Sequence, residues 1–331
     1  MTSAQAASSR TTWLTIDPWR RLFRDRPIIP LFVLFLLLLV LREVIRPGAF
    51  TSDFIGSTLR AAVPLAILAG CQTLTMLTGG IDLSVGAVAS MTGFVVATLV
   101  GGQGLGVAIV IGLGLGVLAG LVSGIGVGVL RVHPLIMTLA MGLIVLGFAN
   151  VWQLRMVQTG TGVAPIIRSL GSDRLFGILP YNLVVFVPLA LVVLLALRRS
   201  GFGRLLYAIG DNPIAARLSG ARAWQVLILL YVVSGLLAGI AGLLISGLTN
   251  VASVTVADSY VLPSVAAAVI GGTSILGGRG GYSGTILGAL ILTVLSSLLT
   301  TLGYPEAVRQ VLFGAIIVVV AAAYTRVTAE T

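Results

Sequence analysis

Apolar runs of roughly twenty residues recur from residue 28 to residue 325, and the connections between them are short. A helix needs about 20 apolar residues to cross a hydrocarbon core of about 30 Å. The chain is 57% hydrophobic and only 9% charged, against about 25% charged residues in a soluble domain. It therefore reads as an all-α polytopic membrane protein of about ten transmembrane helices. The crossings are predicted at 28–45, 61–78, 86–101, 106–129, 135–152, 183–197, 226–247, 260–271, 284–302 and 308–325. The first run is too long for the core of a signal peptide and is expected to remain as a crossing. Segment 153–182, between the fifth and sixth crossings, is long enough for a short surface helix or a lid.

Charge sets the orientation. Lysine is absent, so all 20 basic residues are arginine. A P-loop needs its lysine to reach the nucleotide phosphates, so the chain is expected to carry no ATPase site and to be no enzyme. If ATP drives it, a separate subunit hydrolyses the ATP. The net charge of +10 is spread between the apolar runs, a pattern of loops obeying the positive-inside rule rather than of a nucleic-acid surface. Ten crossings leave seven arginines outside (Arg42, Arg46, Arg60, Arg155, Arg168, Arg174 and Arg309) and the other thirteen inside with both termini. The organisation expected is a cytoplasmic basic segment over 1–27, one transmembrane domain over 28–326 and a cytoplasmic tail over 327–331. Crossings two to five then start outside and seven to ten start inside, the pattern of an inverted repeat, although no residue-level match joins the halves.

The longest strongly polar insertion is the loop 198–224, predicted to be cytoplasmic, where Arg198, Arg199, Arg204, Arg217 and Arg222 accompany one acid, Asp211. It contains a punctuated short helix. Asn212 caps the free N–H groups and Pro213 takes the first helical position, where no donor is required. Ala215, Ala216 and Arg217 lie in its two turns, and Gly220 suits a left-handed stop. Such a helix is marginal alone in water, so it is expected to rest against a partner protein.

Glycine does two further jobs. Gly112, Gly116, Gly120, Gly124 and Gly128 recur every fourth residue, a bare stripe on one helix face suited to close helix packing. Ser234, Ala238, Gly242 and Ser246 repeat the spacing in the seventh crossing. Elsewhere glycine interrupts the helices. Gly79, Gly80 and Gly86 flank Asp82 and Ser84, while Gly271, Gly272, Gly277 and Gly278 flank Thr273 and Ser274. Irregular backbone at membrane depth is tolerated only when buried in protein or lining a cavity. Each break is thus either a pathway or gate lined by backbone and hydroxyls, or a turn that permits tight packing. Asp82 is either an intramembrane acid with a transport role or a cap on the helix that follows it. Cys71 and His133, the lone residues of their kinds, read as structural. No metal-ligand spacing, activated nucleophile or carboxylate pair stands out, so no catalytic residue, metal or bound cofactor is expected.

Four motifs in order carry a family resemblance: TGGIDLSVG (78–86), PLIMTLAMG (134–142), GFGRLLYAIGDNPIAARLSG (201–220) and VIGGTSILGGRGGYSGTILGA (269–289). Over residues 50–325 the chain resembles the permease subunits of bacterial ribose-type sugar ABC importers. The resemblance implies a body similar to the vitamin B12-type importer permease, in the inner membrane. It implies a second permease copy, a cytoplasmic ATP-binding subunit holding ATP and Mg, and an extracytoplasmic sugar-binding protein as partners. The EAA-xxx-G coupling pattern of ABC permeases maps onto Ala215, Ala216 and Gly220, with Ile214 standing where the glutamate would be. Monosaccharide import is the function expected. The competing readings are an ion-coupled secondary transporter using Asp82 and a structural membrane protein without transport.

Overall fold

The computed structural model describes residues 28–48, 50–156, 162–175, 177 and 179–329, so the basic segment 1–27 and the last two residues lie outside it. Thirteen α-helices account for nearly all of the described residues. They are α1 (Ile28–Ile45), α2 (Ser52–Met76), α3 (Val85–Gln103), α4 (Leu105–Gly128), α5 (Pro134–Met156), α6 (Pro165–Ser172), α7 (Asn182–Arg199), α8 (Gly201–Asp211), α9 (Pro213–Leu218), α10 (Ala223–Thr249), α11 (Val261–Ile270), α12 (Tyr282–Thr301) and α13 (Glu306–Ala329). A two-residue hairpin, β1 (Arg174–Leu175) with β2 (Leu179–Pro180), follows α6. Eight of these helices are long and apolar enough to cross a membrane.

Two expected elements differ. The second crossing, predicted from residue 61, begins as α2 already at Ser52, because the Thr51 hydroxyl accepts the Phe54 N–H at 3.1 Å and caps it there. The eighth crossing is only half α-helical, the segment 250–260, which holds no α-helix, supplying the rest of its length. α11 has 10 residues, about 15 Å at 1.5 Å per residue, half of a bilayer core.

Helices α2, α3 and α10 form the buried centre, and α1 lies almost wholly exposed at the edge, touching α12 through Leu38. α10 is the axis, packed by α4, α3, α2 and α6. The glycine stripe makes the longest run of these close contacts. Gly116 faces the Gly235 carbonyl, Gly120 the Tyr231 carbonyl, Gly124 the backbone of Ile228 and Gly128 the Trp224 carbonyl. The pairing descends α10 as it ascends α4, so the two helices are antiparallel at backbone contact distance. α3 instead runs parallel to α10, with Gly242 against Ala89 and Gly93 against Ser246.

These contacts define two ends of the bundle, one carrying α8 and α9, the other carrying α6 and the hairpin. Gly171 of α6 lies on the backbone of Gly247 and Leu248 at that second end, while Arg60 donates to the Ser172 carbonyl at 2.5 Å and Arg174 pairs with Asp53. Segment 153–182, expected to form a surface helix or lid, thus supplies a helix fastened to the bundle.

The inverted pattern acquires particular residues. α2 runs toward the α9 end, breaks at 77–84, and α3 returns. α10 runs away from the α9 end, breaks at 250–260, and α11 returns in the opposite sense. Asp82 stands three residues before Val85, and Asp258 three residues before Val261, each at the start of a returning helix. The two starts meet inside the bundle, where Gly86 lies against Val261 and the Ala257 carbonyl. Segment 250–260 reads in sequence as a mild external loop, yet Ala257 is buried and donates its N–H to the Ser90 hydroxyl at 2.9 Å.

Substituting Gly120→Val should force α4 off Tyr231 and cost at least about 1–3 kcal/mol through overpacking. Gly114→Ala, on the open face of the same helix, should be neutral or mildly stabilising. Thermal unfolding of the two variants in detergent checks the contrast; equal melting temperatures would contradict the packing described.

Candidate functional site

The loop 198–224 folds as two helices rather than one. Ser200 caps the first, its hydroxyl accepting the Gly203 N–H at 3.1 Å. α8 then buries Leu206 and Ile209 on one face. The apolar positions Phe202, Leu205, Leu206 and Ile209 already have helical spacing in the sequence, a signal hidden among the arginines. Asn212 caps α9 doubly: its side-chain oxygen accepts from Ile214 N at 3.0 Å and Ala215 N at 2.9 Å. Pro213 occupies the first turn. Arg217 donates back to the Pro213 carbonyl at 3.2 Å, and Gly220 leaves the helix at φ +86°.

The little helix presents its apolar residues the wrong way for a self-contained domain. Ala216 faces inward at 4% exposure, whereas Ile214 is 68% and Leu218 84% exposed. Ile214 and Leu218 are four apart, so they form one outward face. Beside it lies a groove of about 490 Å³ lined by Leu205, Ser219, Gly220, Ala221, Arg222 and Gln225.

The first break, 77–84, climbs from the α9 end to the middle of the bundle. Ser234, the partner of Asp82, lies eleven residues into α10, about 16 Å from its start. Backbone stretched over that depth must find its hydrogen bonds in side chains. It does so from two helices, while a third holds its acid. Gln72 of α2 donates to the Asp82 carbonyl at 2.7 Å and accepts the Asp82 N–H at 3.2 Å. Thr138 of α5 accepts the Leu83 N–H and donates to the Ile81 carbonyl, both at 3.1 Å. The carboxylate of Asp82 accepts from Ser84 N at 3.0 Å, Ser84 Oγ at 2.6 Å and, from α10, Ser234 Oγ at 2.8 Å.

Asp82 and Ser84 are buried, and the Asp82 carboxylate holds Ser84, the N-cap residue of α3, and ties it to α10; it bonds no N–H of the helix itself. Gly79 turns the chain at φ +78°. Gly80 admits the Tyr231 hydroxyl and Pro134 beside it. That hydroxyl is buried without a hydrogen-bond partner. Gln72, Thr138 and Tyr231 escaped sequence reasoning; the signal was a polar side chain inside an apolar run.

The second break, 271–281, is a compact turn at the α9 end. Ser274 N donates to the Arg279 carbonyl at 3.0 Å, and Gly272, Gly277 and Gly278 all have positive φ. Gly271 packs on Gly284 and Thr285 of α12. Thr273, itself buried, is 3.5 Å from the Thr285 hydroxyl, which lies 2.6 Å from that of Thr73. The breaks touch, Gly278 N donating to the Leu77 carbonyl at 3.0 Å. Cys71 is buried with its thiol toward the Ser234 carbonyl, and the His133 carbonyl accepts the Met137 N–H as α5 begins.

Residues 54–321 match the family model described as branched-chain amino acid transport system / permease component. Among curated proteins, the chain is 34% identical to the ribose import permease protein of Bacillus subtilis (strain 168) over 291 residues, 88% of this chain and 90% of that one. It is 34% identical to the fructose import permease protein of Rhizobium meliloti over 302 residues, covering 89% and 84%. To the ribose import permease protein of Escherichia coli (strain K12) it is 35% identical over 289 residues, covering 86% and 89%. No solved structure matches the chain.

Replacing Asp82 by alanine leaves one N–H and two hydroxyls buried without their acceptor, at about 1–3 kcal/mol for each unsatisfied group. Asn keeps one acceptor oxygen for Ser84, and the Ser234 hydroxyl can rotate to accept. Thermal unfolding in detergent should therefore rank Asp82→Ala well below Asp82→Asn, with Ser234→Ala near the latter. Equal losses for the two Asp82 variants would contradict the acceptor role described.

Proposed function

Since the chain belongs to the family described as branched-chain amino acid transport system / permease component, we propose that it is the transmembrane permease of an ABC importer carrying a monosaccharide across the bacterial inner membrane. Relatives named for ribose and fructose, each aligned over most of both chains, favour a pentose or hexose over an amino acid. The orientation proposed puts both termini and the α9 end in the cytoplasm, following the arginine excess on that side. ATP and Mg would be held by a separate ATP-binding subunit. An extracytoplasmic sugar-binding protein would deliver substrate at the α6 end, and a second permease copy would complete the pathway. The apolar faces of α1, α4 and α5 would meet lipid or that copy.

One observation carries the reading. Ile214 and Leu218 stand exposed on a capped two-turn helix at the bundle end, next to Arg217 and outside every membrane-length helix. An apolar pair presented there on a pre-formed helix is suited to a protein groove. Its rim of arginines suits acidic groups around that groove. Asn212, Pro213 and Gly220 hold the helix in shape, and Ala216, the buried one of the alanine pair, lets it lie close to α8 while Ala215 faces outward. The two breaks are proposed as the part of the pathway that is displaced when α9 moves, since they are where helical hydrogen bonding is interrupted and where the two segments touch.

The double variant Ile214→Asp, Leu218→Asp should keep the melting temperature of the isolated permease and lose at least about tenfold in ATPase recovery, a factor worth 1.4 kcal/mol. Affinity purification from native membranes followed by mass spectrometry reads the result. Undiminished recovery of an ATPase would refute docking on α9. If no ATPase accompanies the wild type and uptake follows an ion gradient lost in Asp82→Asn, the ion-coupled alternative replaces this proposal.

A further inference from the structure

The hydrogen bond from Gly278 N to the Leu77 carbonyl joins two breaks that are two hundred residues apart in sequence. α8 lies directly across it. A β-carbon at Gly210 would collide with the Leu77 carbonyl oxygen and come to 2.5 Å from Gly278 N. From the other side, a β-carbon at Gly277 would fall 2.9 Å from the Gly210 carbonyl oxygen and 3.1 Å from Gly79 N, and one at Gly278 would fall 3.0 Å from Asp211 Cα. Three backbones thus cross with only glycine hydrogens between them. Gly277 and Gly278 adopt φ of +95° and +71°, which L side chains rarely take, so the crossing restricts both shape and sequence.

α8 is fastened to the second break again one turn earlier. The Tyr207 hydroxyl donates to the Gly280 carbonyl at 2.9 Å. Burial raises the pKa of this phenol, against a smaller opposing effect of Arg198, so it stays a neutral donor. Arg198, at the end of α7, reaches the Ser283 hydroxyl at 3.4 Å. At its other end α8 passes straight into α9, for Asn212 is both the last cap of α8 and the first cap of α9. No flexible linker separates the exposed pair Ile214 and Leu218 from the crossing at Gly210.

We infer that α8 is the rigid lever that carries displacements of α9 to both breaks, with Tyr207 and Gly210 as its positioning residues. Contacts made by side chains absorb small shifts through rotamer changes, whereas contacts between backbones in a close-packed interior have no such slack. A shift of α8 therefore moves Leu77 and Gly278 together. The inference rests on the proposed function, in which an ATPase moves α9.

The test uses the whole importer, this chain with its ATPase and binding protein in proteoliposomes, and reads substrate transported per ATP hydrolysed. Tyr207→Phe removes one hydroxyl at a half-buried site. It should lower that ratio roughly two- to tenfold, the range of one hydrogen bond, while the ATPase still copurifies in wild-type amount. Gly210→Ala should lower it further; if this variant fails to assemble, Tyr207→Phe decides alone. A Tyr207→Phe complex with the wild-type ratio overturns the inference. So does one in which uptake and hydrolysis fall in equal proportion, the signature of a merely structural contact. A wild-type chain that brings down no ATPase refutes the importer reading itself and this inference with it, whereas a coupled wild type with an unaltered Tyr207→Phe ratio refutes the lever alone.

Discussion

Backbone hydrogen bonding inside a bilayer governs this molecule. Each N–H and C=O left unpaired in hydrocarbon costs several kcal/mol, so a chain that breaks its helices at depth must bring its own partners. The first break meets that demand with Gln72, Thr138 and Asp82, one side chain from each of two helices and one from the break itself. Gln72 imitates a neighbouring strand by offering both a donor and an acceptor to residue 82. Remove these groups and the extended stretch has no state at that depth that keeps its polar atoms paired.

Close approach of helices is what makes such partners reachable. The stripe from Gly112 to Gly128 seats α4 against α3 and α10, and Gly242 of α10 seats α3 in turn. Ser234 and Tyr231 of α10 are thereby held within reach of Asp82 and Gly80. A larger residue at Gly242 would widen the gap between α3 and α10, across which the Ser234 hydroxyl reaches its carboxylate. Packing and polar satisfaction are therefore coupled: the first sets the distances that the second needs.

Much of this was legible, and what was not has physical causes. The positions of most long helices followed from apolar length, because membrane depth imposes that signal on nearly every residue of a crossing. Asn212, Pro213 and Gly220 marked α9, since caps and stops need particular residues at particular positions. α8 was hidden because its apolar face is short and interleaved with Arg204. Segment 250–260 was hidden for a different reason. It contains no glycine, and its burial follows from the return of the chain along α3, a tertiary event that leaves no local pattern. Glycine content thus marked 271–281 as the second break, while the fold pairs the first break with 250–260.

That distinction bears on how the halves differ in rigidity. The first break is held by side chains from α2, α5 and α10, and its acid is buried. Its counterpart 250–260 makes a buried contact to Ser90, and its acid, Asp258, is exposed. Two halves of one inverted pattern are consequently braced to different degrees. The strongly braced break is also the one that touches the second glycine turn through Leu77 and Gly278. A displacement entering at the α9 end meets a stiff connection into the α2–α3 half, and only α11, a half-helix, separates that end from the lightly held segment 250–260. Stiffness near α9 and compliance beyond α11 is the arrangement in which a push at one end becomes a rearrangement deeper in the bundle, because a lever transmits motion only when its fixed side yields less than its free side.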